Sequence, residues 1–343
     1  YKMNKHTFKI IQYVASFLFA ICILLYLFRN QDPVKLVEEI MSVETKWVIL
    51  SMLFGSIAIV SRGLRWIVLI DALNHKTSKL NSISAVSIGY FTNLFVPRAG
   101  EITRCTSLSK INKIPVDKLF GTILIERVID FIFLFSLLLI TFILKFKAIT
   151  LFFKNIMSYI STESETKFNT YLIFIMVTIC GFFFFKFLKK TKFYKKTISF
   201  LEGLKSGFYS IKYMKNKTSF WLHTLNIWIM YFLMTYICFF CMQATSHLTI
   251  SDGLFILVLG GIGMVIPTPG GIGSYHAIVM VGLSVLGVGT VLFETNEQST
   301  NPALIFPTVI HAAQTLVAIL MGCFSIIILF FSKKKNSETS REN

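Results

Sequence analysis

The sequence predicts an all-α integral membrane protein with six spanning helices and two re-entrant helical hairpins, arranged as an inverted 3+3 repeat. Three observations lead there. Of 343 residues, 54% are hydrophobic and 35 are Phe, a composition few soluble domains share. Several apolar runs reach the ~20 residues a helix needs to cross about 30 Å of hydrocarbon. Two further runs stop at prolines in matching places. One reads Gly89-Tyr-Phe-Thr-Asn93-Leu-Phe-Val-Pro97-Arg98-Ala-Gly100-Glu101, with Arg104 beyond it. The other reads Gly260-Gly-Ile-Gly263-Met-Val-Ile-Pro267-Thr-Pro269-Gly270-Gly271-Ile-Gly273. The shift that lays Pro97 on Pro267 also lays Gly100 on Gly270 and Asn93 on Gly263. Broken apolar helices in corresponding positions of two halves point to a transport site near the membrane midplane.

The spans are expected near 10–28, 47–66, 119–144, 171–188, 220–243 and 304–332. Repeat 1 covers about 10–144 and repeat 2 about 171–332, within one polytopic domain over 1–343. The net charge of +17 is unevenly spread. Lys2, Lys5 and Lys9 precede the first span, and Arg62, Arg65, Lys76 and Lys79 follow the second. Lys110, Lys113 and Lys118 follow the first break, Lys186 to Lys196 follow the 171–188 span, and Lys333 to Lys335 follow the last. The loop 29–46 is mixed, and 294–303 has Glu but no Lys or Arg. By the positive-inside rule both termini face the cytoplasm of a multi-pass protein in a bacterial inner membrane. The first hairpin then enters from the cytoplasm and the second from outside. Lys145, Lys147, Lys154 and Lys167 run against the rule, and eight full spans are the competing count.

Two segments lie outside the spans. Ile198, Leu201, Leu204, Phe208, Ile211 and Met214 recur at helical spacing, with lysines on the other faces. This marks an amphipathic connector over about 195–217 on the cytoplasmic surface, with a regulatory helix as the less bland alternative. The polar tail, about 336–343, is expected to be disordered.

Charge within membrane depth is the first candidate for function. Glu126, Arg127 and Asp130 sit inside the 119–144 span, where an uncompensated charge costs at least ~2.5–3.5 kcal/mol. Glu126 and Asp130 are four residues apart and share a helix face, with Arg127 beside them. Arg98, Glu101 and Arg104 belong to the first break. Arg98 or Arg104 is expected opposite Glu126 or Asp130. The cluster either fixes the fold as a buried ion-pair network or handles a charged substrate.

The second break carries no charge. Its prolines and glycines interrupt the helix and free backbone groups, tolerated at this depth only where protein or water satisfies them. Gly273 opens a new helix whose N-terminus can attract an anion. Gly270, Gly271, Gly273, Ser274 and His276 are therefore candidate headgroup contacts. A tight turn between packed helices, with His276 bonded inside the protein, is the plainer alternative.

Other chemistries find little support. Cys238 and Cys241 form a CxxC inside a predicted span, where packing is the better reading than redox. His311 and Gln314 do not make a metal pattern, so no metal or cofactor is expected. Nothing suggests nucleic acid as a partner; the basic residues face lipid headgroups.

From Gly89 through Arg104, then Glu126-Arg127-Val-Ile-Asp130, then Pro267 through Gly273, the chain resembles the lysylphosphatidylglycerol synthase transmembrane region. That family is also called flippase-like or UPF0104. The likeness covers nearly the whole chain. It implies movement of lipids such as aminoacylated phosphatidylglycerol between leaflets. The soluble domain that makes the lipid in bifunctional members is absent, so synthase activity is not implied. Where an Arg-Glu pair often follows the glycine turn in the family, this chain has Tyr275-His276.

The expected function is thus a flippase or transporter for an anionic or aminoacylated lipid, not an enzyme. Asn93, Arg98, Glu101, Arg104, Glu126, Arg127 and Asp130 are its candidate substrate contacts with the glycine turn. The rivals are a membrane enzyme acting on a lipid-linked substrate, with His276 or His311 as base, and an accessory scaffold for a lipid-modifying enzyme or glycosyltransferase.

Overall fold

The computed structural model describes residues 5–163, 214–291 and 300–342. The expected span 171–188 and most of the connector 195–217 lie outside them. Every regular element among the described residues is helical. Eleven helices are described: α1 Lys5–Phe28, α2 Pro33–Ser42, α3 Thr45–Ala72, α4 Lys79–Phe95, α5 Gly100–Asn112, α6 Val116–Leu144, α7 Phe146–Glu163, α8 Lys217–Ile237, α9 Ile250–Val265, α10 Ser274–Val285 and α11 Pro302–Glu342. Two short 3-10 turns, Cys238–Cys241 and Pro269–Gly271, follow α8 and α9.

Among the described residues four helices are long and apolar enough to cross a membrane: Thr45–Ala72, Val116–Leu144, Lys217–Cys241 and Pro302–Ser332. A fifth candidate is α1 with α2, but the pair is bent by 91°. The expected loop 29–46 is therefore largely a helix. Asp32 caps it by accepting from the amides of Val34 and Lys35, and Pro33 supplies the preset φ of a first helical residue. The backbone of α11 is helical to Glu342, through most of the polar tail. The outward side of α6 shows why these helices need lipid. Phe131, Phe135, Leu139, Phe142 and Ile143 are all exposed on it.

Both proline breaks end helices where the sequence places them, after Phe95 and after Val265. The four arms are short. α4 and α5 have 17 and 13 residues, and α9 and α10 have 16 and 12. At 1.5 Å per residue even the longest is about 25 Å, less than the hydrocarbon core. The arms of each break fold back on each other. At the base of the first, Thr77 and the Lys76 carbonyl meet the side chain of Asn112 at 3.2 and 3.3 Å. Near its tip, Gly100 packs so close to α4 that a Cβ would strike the Gly89 carbonyl and Asn93.

α6 measures the distance between the two hairpins. Its first turn follows the base of the first hairpin, three residues after α5 ends. At its far end Lys145 pairs with Asp252 in the first turn of α9. The two bases therefore lie at opposite ends of a 29-residue helix, about 43 Å long. The tips point toward each other between them. α3 and α8 form the most extensive helix pair, and α4 lies along α11. One apolar core gathers around Trp66, Ile70, Leu108 and Leu119, and a second around Phe239, Tyr275, Val279 and Phe306.

Candidate functional site

The tips of the two hairpins touch. Arg98 donates from Nη2 to the Val265 carbonyl at 3.1 Å, joining the first break to the last residue of α9. Gly270 lies beside Leu94, with ordinary van der Waals room for a Cβ at 3.4 Å. Gly261 of α9 rests on Leu134 of α6, and Asp252 on Lys145. α9 thus runs antiparallel to α6, and its end reaches the turn of α6 that holds Arg127 and Asp130.

That turn anchors the expected charged cluster. Arg104 on α5 grips Glu126 with both terminal nitrogens, at 2.7 and 3.2 Å, and its guanidinium lies 3.8 Å over the Trp66 ring. This is one of the expected pairings. Asp130 finds other partners. Arg62 reaches it at 2.8 Å, and Arg65 binds it through both terminal nitrogens at 2.8 and 3.1 Å. Arg65 also approaches Glu126 at 3.8 Å and bonds Thr224 on α8. Glu126 and Asp130 are each held between two arginines, Arg65 serving both, and all three arginines are buried.

Arg62 and Arg65 correct the sequence reading, which takes them as the cytoplasmic flank of the second span. α3 continues to Ala72, so both arginines lie within the helix and turn inward. From Arg62 the polar contacts run on: Nε donates to the Tyr231 hydroxyl at 3.0 Å, and Tyr231 meets the Tyr90 hydroxyl at 2.9 Å. Tyr90, Thr224 and Tyr231 come from α4 and α8, so this core joins both halves. The sequence holds one signal for them: polar side chains inside apolar runs that also carry buried charge.

Arg127 points elsewhere. It is half-exposed and pairs with Glu101 of α5 at 2.5 Å. The side-chain oxygen of Asn93 accepts from the Gly100 amide at 2.7 Å and secures the start of α5. Arg98 is exposed, forms no ion pair among the described residues, and holds a left-handed φ of 61°. For a residue with a Cβ that backbone costs roughly 1–2 kcal/mol.

The glycine turn takes the conformation its composition demands. Gly270, Gly271 and Gly273 have φ of 58°, 82° and 80°. The turn is also closely walled. A Cβ on Gly271 would strike the Met264 sulfur, and one on Gly273 would come within 2.9 Å of the Ala20 carbonyl on α1. Ser274 is 1% exposed and bonded to Thr268 and to the Gly271 carbonyl. His311 lies with Nε2 2.9 Å from the Gly270 carbonyl, which makes it the donor, and its ring is 5.0 Å from that of His276. His276 is buried with Nδ1 unpartnered. In this conformation the turn is a packed corner of the site, and the open part of the junction is the arginine side. Among the described residues no group of three His, Cys, Asp or Glu side chains is placed to hold a metal ion.

Apolar helices of spanning length around a buried arginine–carboxylate core, with two broken helix pairs meeting beside it, define a polytopic membrane protein. The chain belongs to the family of the lysylphosphatidylglycerol synthase transmembrane region, whose profile matches residues 13–322. It is also similar to a UPF0104 membrane protein of Methanocaldococcus jannaschii, at 24% identity over 84% of this chain and 87% of that protein. No solved structure matches it.

Proposed function

We propose that the protein moves an anionic or aminoacylated phospholipid between the leaflets of a bacterial cytoplasmic membrane, with both termini cytoplasmic. The carrying observation is the junction itself. Among the described residues, five arginines (62, 65, 98, 104 and 127) and three carboxylates (Glu101, Glu126 and Asp130) gather where two broken helices meet. Excess positive charge at membrane depth is costly unless an anion or water compensates it. An anionic headgroup passing between leaflets does so, while its acyl chains stay in lipid.

On this reading each half contributes spans and one re-entrant hairpin, the halves inverted. The helix starts support it: 45, 79 and 100 in one half match 217, 250 and 274 in the other, at a nearly constant offset of about 170. The bases at opposite ends of α6 support entry from opposite faces. Of the two histidines that an enzyme on a lipid-linked substrate could use as base, His311 spends its Nε2 on the Gly270 carbonyl, and His276 is buried. A leaflet-sidedness assay in proteoliposomes, run across anionic, aminoacylated and zwitterionic lipids, tests the proposal. Faster exchange of an anionic or aminoacylated lipid than in protein-free vesicles is expected; equal rates for every lipid would reject it.

A further inference from the structure

Of the five arginines, Arg98 alone has no carboxylate partner among the described residues. A guanidinium offers five N–H donors in a planar fork, and Arg98 spends one of them, on the Val265 carbonyl. Its neighbours by sequence and contact all have carboxylate partners: Arg104 has Glu126, and Arg127 has Glu101. Its backbone adds a second, independent sign. φ of 61° is the left-handed region, which glycine and asparagine occupy readily and arginine does not. Across the junction Gly270 holds nearly the same φ of 58° with no Cβ to resist it. A tip whose backbone suits glycine instead carries an exposed cation.

We infer that Arg98 is the residue that binds the phosphate of a lipid headgroup, its free N–H edge facing two phosphate oxygens. The α5 N-terminus, starting two residues on at Gly100, and the half-exposed Arg127 add to the positive field there. Phe95, Met264 and Val265 are exposed around the tips, at 65%, 49% and 59%, and give the acyl chains an apolar wall. The bound anion is the counter-charge that five arginines and three carboxylates lack. The inference rests on the transport reading only for what the lipid does next; binding is tested apart from it.

The test is native mass spectrometry of the purified full chain in neutral detergent, titrated separately with phosphatidylglycerol, phosphatidylcholine and inorganic phosphate. Thermal unfolding is followed on the same samples. The wild type should prefer phosphatidylglycerol to phosphatidylcholine by about tenfold, because both present the same phosphodiester but the choline cation of the second is repelled by the Arg98 and Arg127 charges. Arg98→Gly and Arg98→Asn should lose that preference while melting at or above the wild-type temperature, because both relieve the backbone. Arg98→Lys should keep part of the preference. Preference retained in the Gly and Asn variants would overturn the inference. So would melting of both well below the wild type, which would make Arg98 a structural residue. Binding of inorganic phosphate without any preference for phosphatidylglycerol would assign the site to a soluble anion and overturn the lipid. Intact lipid binding with no leaflet exchange would reject the transport reading and leave this inference standing.

Discussion

Arg62 meets Asp130 at 2.8 Å, and the pair ties α3 to α6 at the centre of the molecule. Asp130 is the midpoint of the helix that runs from Val116 to Leu144. It serves Arg65 as well. Removing one member of such a set strands the others. Asp130→Ala should cost about 3–5 kcal/mol and sharply reduce the monodisperse fraction in size-exclusion chromatography. Arg62→Leu added to that variant should recover part of the yield, since it removes one of the stranded charges.

Lys145 and Asp252 place the end of α6 beside the base of the second hairpin. With the positive-inside assignment, that base is extracellular. Single cysteines at Lys76 and Lys113 on a Cys-free background should label only from the cytoplasm. Cysteines at Ser246 and Thr300 should label only from outside. If the two flanks of one hairpin labelled from opposite faces, its arms would cross the membrane and the inverted arrangement would be wrong.

Much of this was legible from residue patterns, for physical reasons. Proline weakens a helix interior, and Pro97 and Pro267, each with glycine close behind, announce both breaks, whereas Pro307 is carried inside α11. Three glycines in four positions announce a turn with positive φ, and all three have it. Glu126 and Asp130 stand out because charge inside an apolar run is rare. Arg62 and Arg65 did not stand out. At the end of an apolar run a buried arginine and a flanking one look alike, and only the continuation of α3 to Ala72 separates them. The role of Asn93 was hidden for a related reason: its partner is a backbone amide seven residues away. Nor does the mixed composition of 29–46 reveal a helix bent by 91° from its neighbour.

The Glu101–Arg127 pair links α5 to α6 on the open side of the site. Reversing either charge alone should depress transport by roughly tenfold or more, since like charges then face each other. The double reversal, Glu101→Arg with Arg127→Glu, should restore folding but only part of the transport, because the cation has moved toward the first tip. Full transport in either single variant would show that the pair plays no part.

Gly271→Val should leave membrane insertion intact, because insertion follows hydrophobicity and flanking charge. It should abolish transport, because φ of 82° disfavours a β-branched residue and the added side chain strikes Met264 beside His311. Protease protection reports insertion and the sidedness assay reports transport. Normal transport in this variant would make the turn dispensable.

The central claim, that a lipid headgroup crosses where the two hairpin tips meet, is tested most directly by the leaflet-sidedness assay on an Arg98→Ala/Glu101→Ala double variant. This variant should fold and insert like the wild type, yet move its preferred anionic or aminoacylated lipid no faster than protein-free vesicles do. Wild-type exchange rates in the folded double variant would contradict it.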